Sequence, residues 1–286
     1  MSKLRIIIFG GTGNVGTNLT AHLKNKGMLI VAPLRNEVTA PSNTEKLVDY
    51  FRMQAPDVVV NCAAMIGLDQ CETMQEAATE VNTLFPQRLS YACEKLDIKL
   101  IQISTDNVYA CHDFDEPHFE DSPTHPTTHY GLSKLLGEEQ VRAYKNGLVL
   151  RLPLVFSSDL TNSRLIVNRL VNEIISGKTV RVASDVYNTP MVLTSVVDKV
   201  CELILDSHQH DTNLVNLCSN KVVSLSSLIS DIAQALRIPN AIEPVEAKFF
   251  NSPVEKPRFG GLKSKFIEPL SYEYMISNFL SERIHL

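Results

Sequence analysis

The chain has 286 residues, 44% of them hydrophobic, and a formal net charge of −5. That is enough apolar material for one large core or two coupled ones, and with no basic block or Lys/Arg stripe a nucleic-acid partner is not expected. No apolar run approaches the about 18–20 residues of a membrane span.

The opening "MSKLRIIIFGG" has too short an apolar stretch for a secretion signal. The six cysteines (Cys62, Cys71, Cys93, Cys111, Cys201, Cys218) are scattered and form no CxxC pair. They read as reduced thiols of a cytoplasmic protein.

In chain order, "LRIIIFG" is a continuous β-branched run ending at glycine, as expected of a strand covered on both faces of a parallel sheet. "NVGTNLTAHLKNKG" follows with helical spacing, Val15, Leu19 and Leu23 on one face and Gly27 as the stop. "MLIVAPL" reads as a second strand, and "NTEKLVDYFRMQ" as a helix capped by Asn43. "PDVVVNCAA" is a strand, "EAATEVNTLFPQRLSYACEKLD" one long helix, and "IKLIQIST" the next strand. "GLVLRLPLVF" and "SRLIVNRLVNEIISGK" continue the alternation as strand and helix. Strands alternating with helices predict an α/β, Rossmann-type doubly wound parallel sheet. The expected division is a dinucleotide-binding part over 1–156 and a mainly substrate-binding part over 157–286. A segment at about 190–218, carrying the helix "TSVVDKVCELILDS", returns to the first sheet.

Directly after the first strand comes "GGTGNVG", with Gly10, Gly13, Asn14, Val15 and Gly16. At a strand-to-helix turn, residues without Cβ let the backbone approach a pyrophosphate, and the helix start offers N–H groups and a positive dipole end. The second strand runs into "VAPLRNE". An arginine there accommodates a 2′-phosphate, so Arg35 points to NADP(H) as the preferred dinucleotide, with NAD(H) as the alternative.

"HYGLSKLLGEE" spaces Tyr130 and Lys134 one helical turn apart. A phenol ordinarily titrates near about 10, and a neighbouring ammonium is expected to lower that value and ready the tyrosine for proton exchange. Ser104 and Thr105, in "ISTDNVY", end a strand where ligands of open α/β sheets bind, so a hydroxyl there is placed to hold a carbonyl oxygen. Glu138 and Glu139 are expected to face solvent or to pair with Arg142.

Together these stretches resemble the extended short-chain dehydrogenases/reductases, and within them the dTDP-4-dehydrorhamnose reductase group, which includes the regulatory β subunit of methionine adenosyltransferase. The resemblance rests on "FGGTGNVG", "PDVVVNCAA", the run from "ISTDNVY" to "HYGLSKLLGEE", and "LVLRLPLVF", with weaker matches at "DVYNTPMV" and "EKPRFGGL". It implies Thr105, Tyr130 and Lys134 as the catalytic trio. It also implies Gly10, Gly13, Asn14, Val15 and Gly16 at the pyrophosphate, Ala63 and Ala64 along the dinucleotide, and Tyr130 and Lys134 at the nicotinamide end. The implied substrate is a nucleotide-linked 4-keto-6-deoxy sugar, met by Thr105, Asn107, Leu152 and Leu154. A homodimer is the expected assembly.

Three departures fall at positions that face the sugar in that group. Asn107 stands where the group has the aromatic of "STDYVF", Leu152 and Leu154 fall in "RLPLV" where it has "RTSWV", and Met65 stands where it has a tyrosine. They leave two further readings open, a dinucleotide-binding regulatory subunit and a nucleotide-sugar epimerase. Dehydration is disfavoured because Asp106 is followed by Asn107. His112, His118, His125 and His129 share an acidic loop but match no zinc spacing, so no metal is expected. Cys62 and Cys111 lack an activating base in their spacing.

Overall fold

A computed structural model describes residues 3–34, 44–109, 116–205, 212–239, 241–252, 254 and 257–284. Arg35, Asn43, Cys111 and His112 lie outside the described residues, and with them the expected 2′-phosphate reader and helix cap. The chain forms two compact units. The first comprises Met1–Val108, Thr128–Arg151 and Val197–Val215, the second Tyr109–Thr127, Leu152–Val196 and Asn216–Leu286. The expectation was a cut near Phe156 with a segment at about 190–218 returning to the first sheet; Val197–Val215 is part of the first unit. The division is interleaved because the chain leaves the main sheet after two neighbouring strands, at the carboxyl ends where open α/β sheets carry their long loops.

The first unit is built on β1 (Arg5–Phe9), β2 (Leu29–Val31), β3 (Val58–Asn61), β4 (Lys99–Thr105), β5 (Gly147–Leu152) and β10 (Leu214–Asn216), in the order β10-β5-β4-β3-β1-β2. The pairs β1–β2, β1–β3 and β3–β4 are parallel. Ile6, Ile7, Ile8, Val59 and Val60 are fully buried without alternation, as strands covered on both faces require. The order reverses between β1 and β3, which makes the carboxyl ends of these two strands the crevice of the sheet.

Three helices follow the sequence pattern closely: α1 (Asn14–Asn25), α2 (Thr44–Gln54) and α6 (His129–Arg142). The long helix expected over 76–97 is present as one helical run with a π-turn inside it. After α3 (Leu68–Thr73) come α4 (Gln75–Thr79), a π-turn at Glu80–Leu84 and α5 (Phe85–Leu96). Pro86 has no N–H to offer the carbonyl of Asn82 in α-helical register, which favours a wider turn at this point. Gly137 of α6 packs against that carbonyl so tightly that a Cβ there would lie 2.1 Å from the Asn82 oxygen. Gly137→Ala is therefore expected to force the two helices apart and lower stability by about 1–3 kcal/mol, read as a fall in the thermal unfolding midpoint.

The second unit has smaller sheets. β6 (Val155–Phe156) pairs with β9 (Met191–Val192), β7 (Val180–Ala183) with β12 (Ile242–Val245), and β8 (Tyr187–Asn188) lies between β11 (Val223–Ser224) and β13 (Phe259–Gly260). Helices α7 (Ile166–Ile175), α9 (Leu225–Ala235) and α10 (Tyr272–Ile284) belong to it, and α8 is Leu193–Leu205. The strand expected over 147–156 is two strands, β5 and β6, interrupted at Pro153, which cannot donate to a ladder. Among the described residues no helix is long and apolar enough to cross a membrane.

Candidate active site

The glycine turn ends β1 in the crevice. Gly10 has φ +74°, and a Cβ on it would meet the Ala63 amide nitrogen at 2.5 Å. Gly16, in the first turn of α1, would place a Cβ 2.2 Å from the Gly10 carbonyl oxygen. The Gly13 amide donates to the Gly10 carbonyl at 2.9 Å, and Gly13 caps α1 without a side-chain bond. The first-turn amides, beginning with Asn14 and Val15, are thus not taken by a cap side chain, and the backbone cradle has the shape and polarity of a pyrophosphate site. Ala63 follows β3, its amide held by Asn61 Oδ1 at 3.1 Å, while Asn61 Nδ2 donates to Gln102 Oε1 at 2.8 Å. Ala64 continues this edge. These residues fit a dinucleotide.

The start of α6 is doubly fixed. Thr128 accepts the Gly131 amide at 3.1 Å, and Glu72 Oε1 accepts the His129 amide at 2.6 Å. This sets Tyr130 beside the end of β4. The Thr105 hydroxyl lies beside the Tyr130 phenol, where it acts to lower the phenol's pKa, and donates to Asp106 Oδ1 at 2.9 Å. Asn107 donates to Thr105 Oγ1 through its backbone at 3.2 Å and its side chain at 3.1 Å, and its side chain also reaches Asp106 Oδ1 at 2.8 Å. Thr105, Asn107, Tyr130 and Lys134 are therefore gathered in the first unit. Leu152 ends β5 as a buried residue of the second unit. Leu154 follows it there, its amide donating to Asn188 Oδ1 at 2.8 Å.

The electrostatics of the Tyr–Lys pair run opposite to the sequence expectation. Tyr130 keeps part of its surface open, yet its phenol is raised above its ordinary range. Burial is the largest cause, opposed by the Thr105 hydrogen bond and reinforced by Asp106 and Cys71. Lys134 is the perturbed cation: burial pushes its ammonium down to about 8, against the raising influence of Glu138 and Cys62. Its Nζ donates to the Ile103 carbonyl at 2.6 Å. Spacing alone reveals neither the loss of solvent around both groups nor the carboxylate beside the phenol.

Two further expectations are corrected. The Ser104 hydroxyl does not share Thr105's direction, since successive strand residues face opposite sides; it donates to Glu138 Oε1 at 2.5 Å. Glu138 is not a surface residue. It is 1% exposed and is held by Arg151, whose Nη2 donates to Oε2 at 2.6 Å and whose Nε reaches both carboxylate oxygens at 3.0 and 3.1 Å. Asn82 also escaped the sequence reading. It clamps the Met65 backbone, accepting its amide at 2.9 Å and donating to its carbonyl at 3.0 Å. The only signal for it was its place four residues before Pro86. Burial pushes the Cys62 thiol up to about 12, far from an activated nucleophile.

Joining a glycine turn at the sheet's crevice to a hydroxyl–phenol pair at the end of β4 is the design of the extended short-chain dehydrogenases/reductases, a class of NAD(P)-dependent oxidoreductases, and this chain is one of them. More particularly, it belongs to the RmlD substrate binding domain family, whose model matches residues 4–277. The spore coat polysaccharide biosynthesis protein SpsK of Bacillus subtilis is 24% identical over 98% of both chains. The dTDP-4-dehydrorhamnose reductase of Mycolicibacterium smegmatis is 38% identical over 49% of this chain and 42% of its own length. The structure of a dTDP-4-dehydrorhamnose reductase from Bacillus anthracis in complex with NADP shares the fold. Its TM-score is 0.88 at 20% identity, over 98% of this chain and all of that one.

Proposed function

We propose that the chain reduces the keto group of a nucleotide-linked 4-keto-6-deoxy sugar, using NADP(H) in preference to NAD(H). The observation that carries this reading is the placement of the Thr105 hydroxyl beside the Tyr130 phenol at the carboxyl end of β4. The relatives named dTDP-4-dehydrorhamnose reductase support the substrate class. The pyrophosphate would lie on Gly10, Gly13 and Gly16 with Asn14 and Val15, and the dinucleotide would pass Ala63 and Ala64 toward Tyr130 and Lys134. When bound, the dihydronicotinamide supplies the hydride for the keto carbon. Tyr130 donates a proton to the keto oxygen, which thereby becomes a hydroxyl, and Thr105 orients that oxygen. Asn107 braces Thr105 and Asp106 in place. Lys134 would hold the ribose and supply positive charge behind the phenol.

The test is NADPH oxidation over a panel of 4-keto nucleotide sugars. Consumption with at least one of them is expected. Tight NADPH binding with no consumption by any would instead support the regulatory-subunit reading, which the replacement of the family's sugar-facing residues by Asn107, Leu152 and Leu154 favours. Arg35→Ala is expected to weaken NADPH, but not NADH, by about ten- to a hundredfold, the worth of a hydrogen bond to a charged group. Fluorescence titration of the nicotinamide reads this. If NADH binds as well as NADPH and the variant changes neither, Arg35 is not the reader.

A further inference from the structure

Thr105 is the last residue of β4, and a short 3₁₀ turn, Asp106–Val108, begins directly after it. A hydroxyl at such a place folds back on the turn and caps it. The Asn107 amide donates to Thr105 Oγ1 at 3.2 Å, and Asn107 Nδ2 donates to the same oxygen at 3.1 Å. A threonine hydroxyl has two acceptor positions and one proton, so a single residue fills both acceptor positions. The proton goes to Asp106 Oδ1 at 2.9 Å, and Asn107 Nδ2 meets that carboxylate oxygen too, at 2.8 Å. Thr105 and Asp106 are each 7% exposed, so little water competes for these bonds.

Resting on the reductase reading, we propose that Asn107 is a positioning residue that restrains Thr105: with Asp106 it holds the Thr105 hydroxyl turned inward, and a keto oxygen must displace the Asp106 carboxylate to receive that proton. A keto oxygen can only accept a hydrogen bond, so Thr105 serves it by turning its O–H away from Asp106. A carboxylate is the stronger kind of acceptor, which makes that turn costly. Asn107 sets how costly. With both acceptor positions of Thr105 Oγ1 filled, the direction of the O–H is fixed on Asp106. Without the Asn107 side chain one position opens, and the O–H can swing while the oxygen stays where β4 puts it. An aromatic residue, which the resemblance places at this position, has no side-chain amide to make these two bonds. The clamp therefore comes with the asparagine of this chain. Its effect falls on the affinity for a keto sugar and not on the proton that Tyr130 gives.

Two measurements test this. Neutron diffraction from crystals of the perdeuterated protein, without dinucleotide or sugar, locates the deuteron of Thr105. It is expected on the line to Asp106 Oδ1, and a deuteron directed elsewhere overturns the proposal. Steady-state NADPH oxidation with the 4-keto nucleotide sugars then compares the wild type with Asn107→Ala. The variant is expected to lower KM for the keto sugar by about three- to tenfold, the worth of one hydrogen bond, with kcat retained. A merely structural Asn107 would raise KM or lower kcat instead, and either result, or an unmoved KM, overturns the proposal. Should Asn107→Ala fail to fold, Asn107→Leu keeps the size of the side chain without its donors and carries the same expectation. If neither protein consumes NADPH with any sugar, the reductase reading falls, and the position of the deuteron still decides whether the clamp exists.

Discussion

Tyr130→Phe is expected to lower the rate of NADPH-dependent reduction by about 10²–10⁴-fold, the usual worth of a positioned proton donor. The substitution removes one oxygen and leaves the ring. The Thr128 and Glu72 bonds that set the start of α6 do not involve it, so the unfolding midpoint and NADPH affinity should stay close to those of the wild type. The loss should appear in single-turnover NADPH oxidation, where product release does not intrude. Equal rates in the two proteins would leave Tyr130 without a role in proton transfer. The pH profile carries a matching expectation. Because burial raises the phenol, Tyr130 stays protonated, and ready to donate, across the physiological range. Lys134 has its ammonium lowered to about 8. It is charged below that value and loses its proton as the pH rises through it, so the rate should be sustained at lower pH and fall on the alkaline side near 8. A falling limb well above that would assign the loss to a different group.

Arg151→Met is expected to have the largest effect on stability. Arg151 and Glu138 are both essentially inaccessible, with side-chain exposures of 1% and 0%. Removing the cation leaves a carboxylate buried without its counter-charge, at a cost of about 3–5 kcal/mol. Replacing both by methionine removes the desolvation cost along with the attraction, and such replacements are often neutral or stabilising. Urea unfolding of the wild type, the single and the double variant separates these terms. If the double variant is as unstable as the single one, lost packing rather than the orphaned charge sets the cost.

The alternation of strand and helix, the glycine turn and the Tyr–Lys spacing could all be read from residue order, because each is a local device. A β-branched run, a turn that tolerates no Cβ and a one-turn spacing are written in consecutive residues. Even the π-turn at Glu80–Leu84 has a local mark in Pro86, though the close approach of Gly137 that accompanies it lies more than fifty positions downstream. Protonation was not legible in the same way. The Tyr–Lys spacing suggested a lowered phenol; burial, with Asp106 beside it, raises it. Glu138 looked like a surface residue beside Arg142, and folding turned it onto Arg151 of β5 and Ser104 of β4. Helical spacing says which residues share a face, but not what that face meets. Solvation and long-range charge follow from packing between elements distant in the chain, and here they decide which group of the site holds its proton.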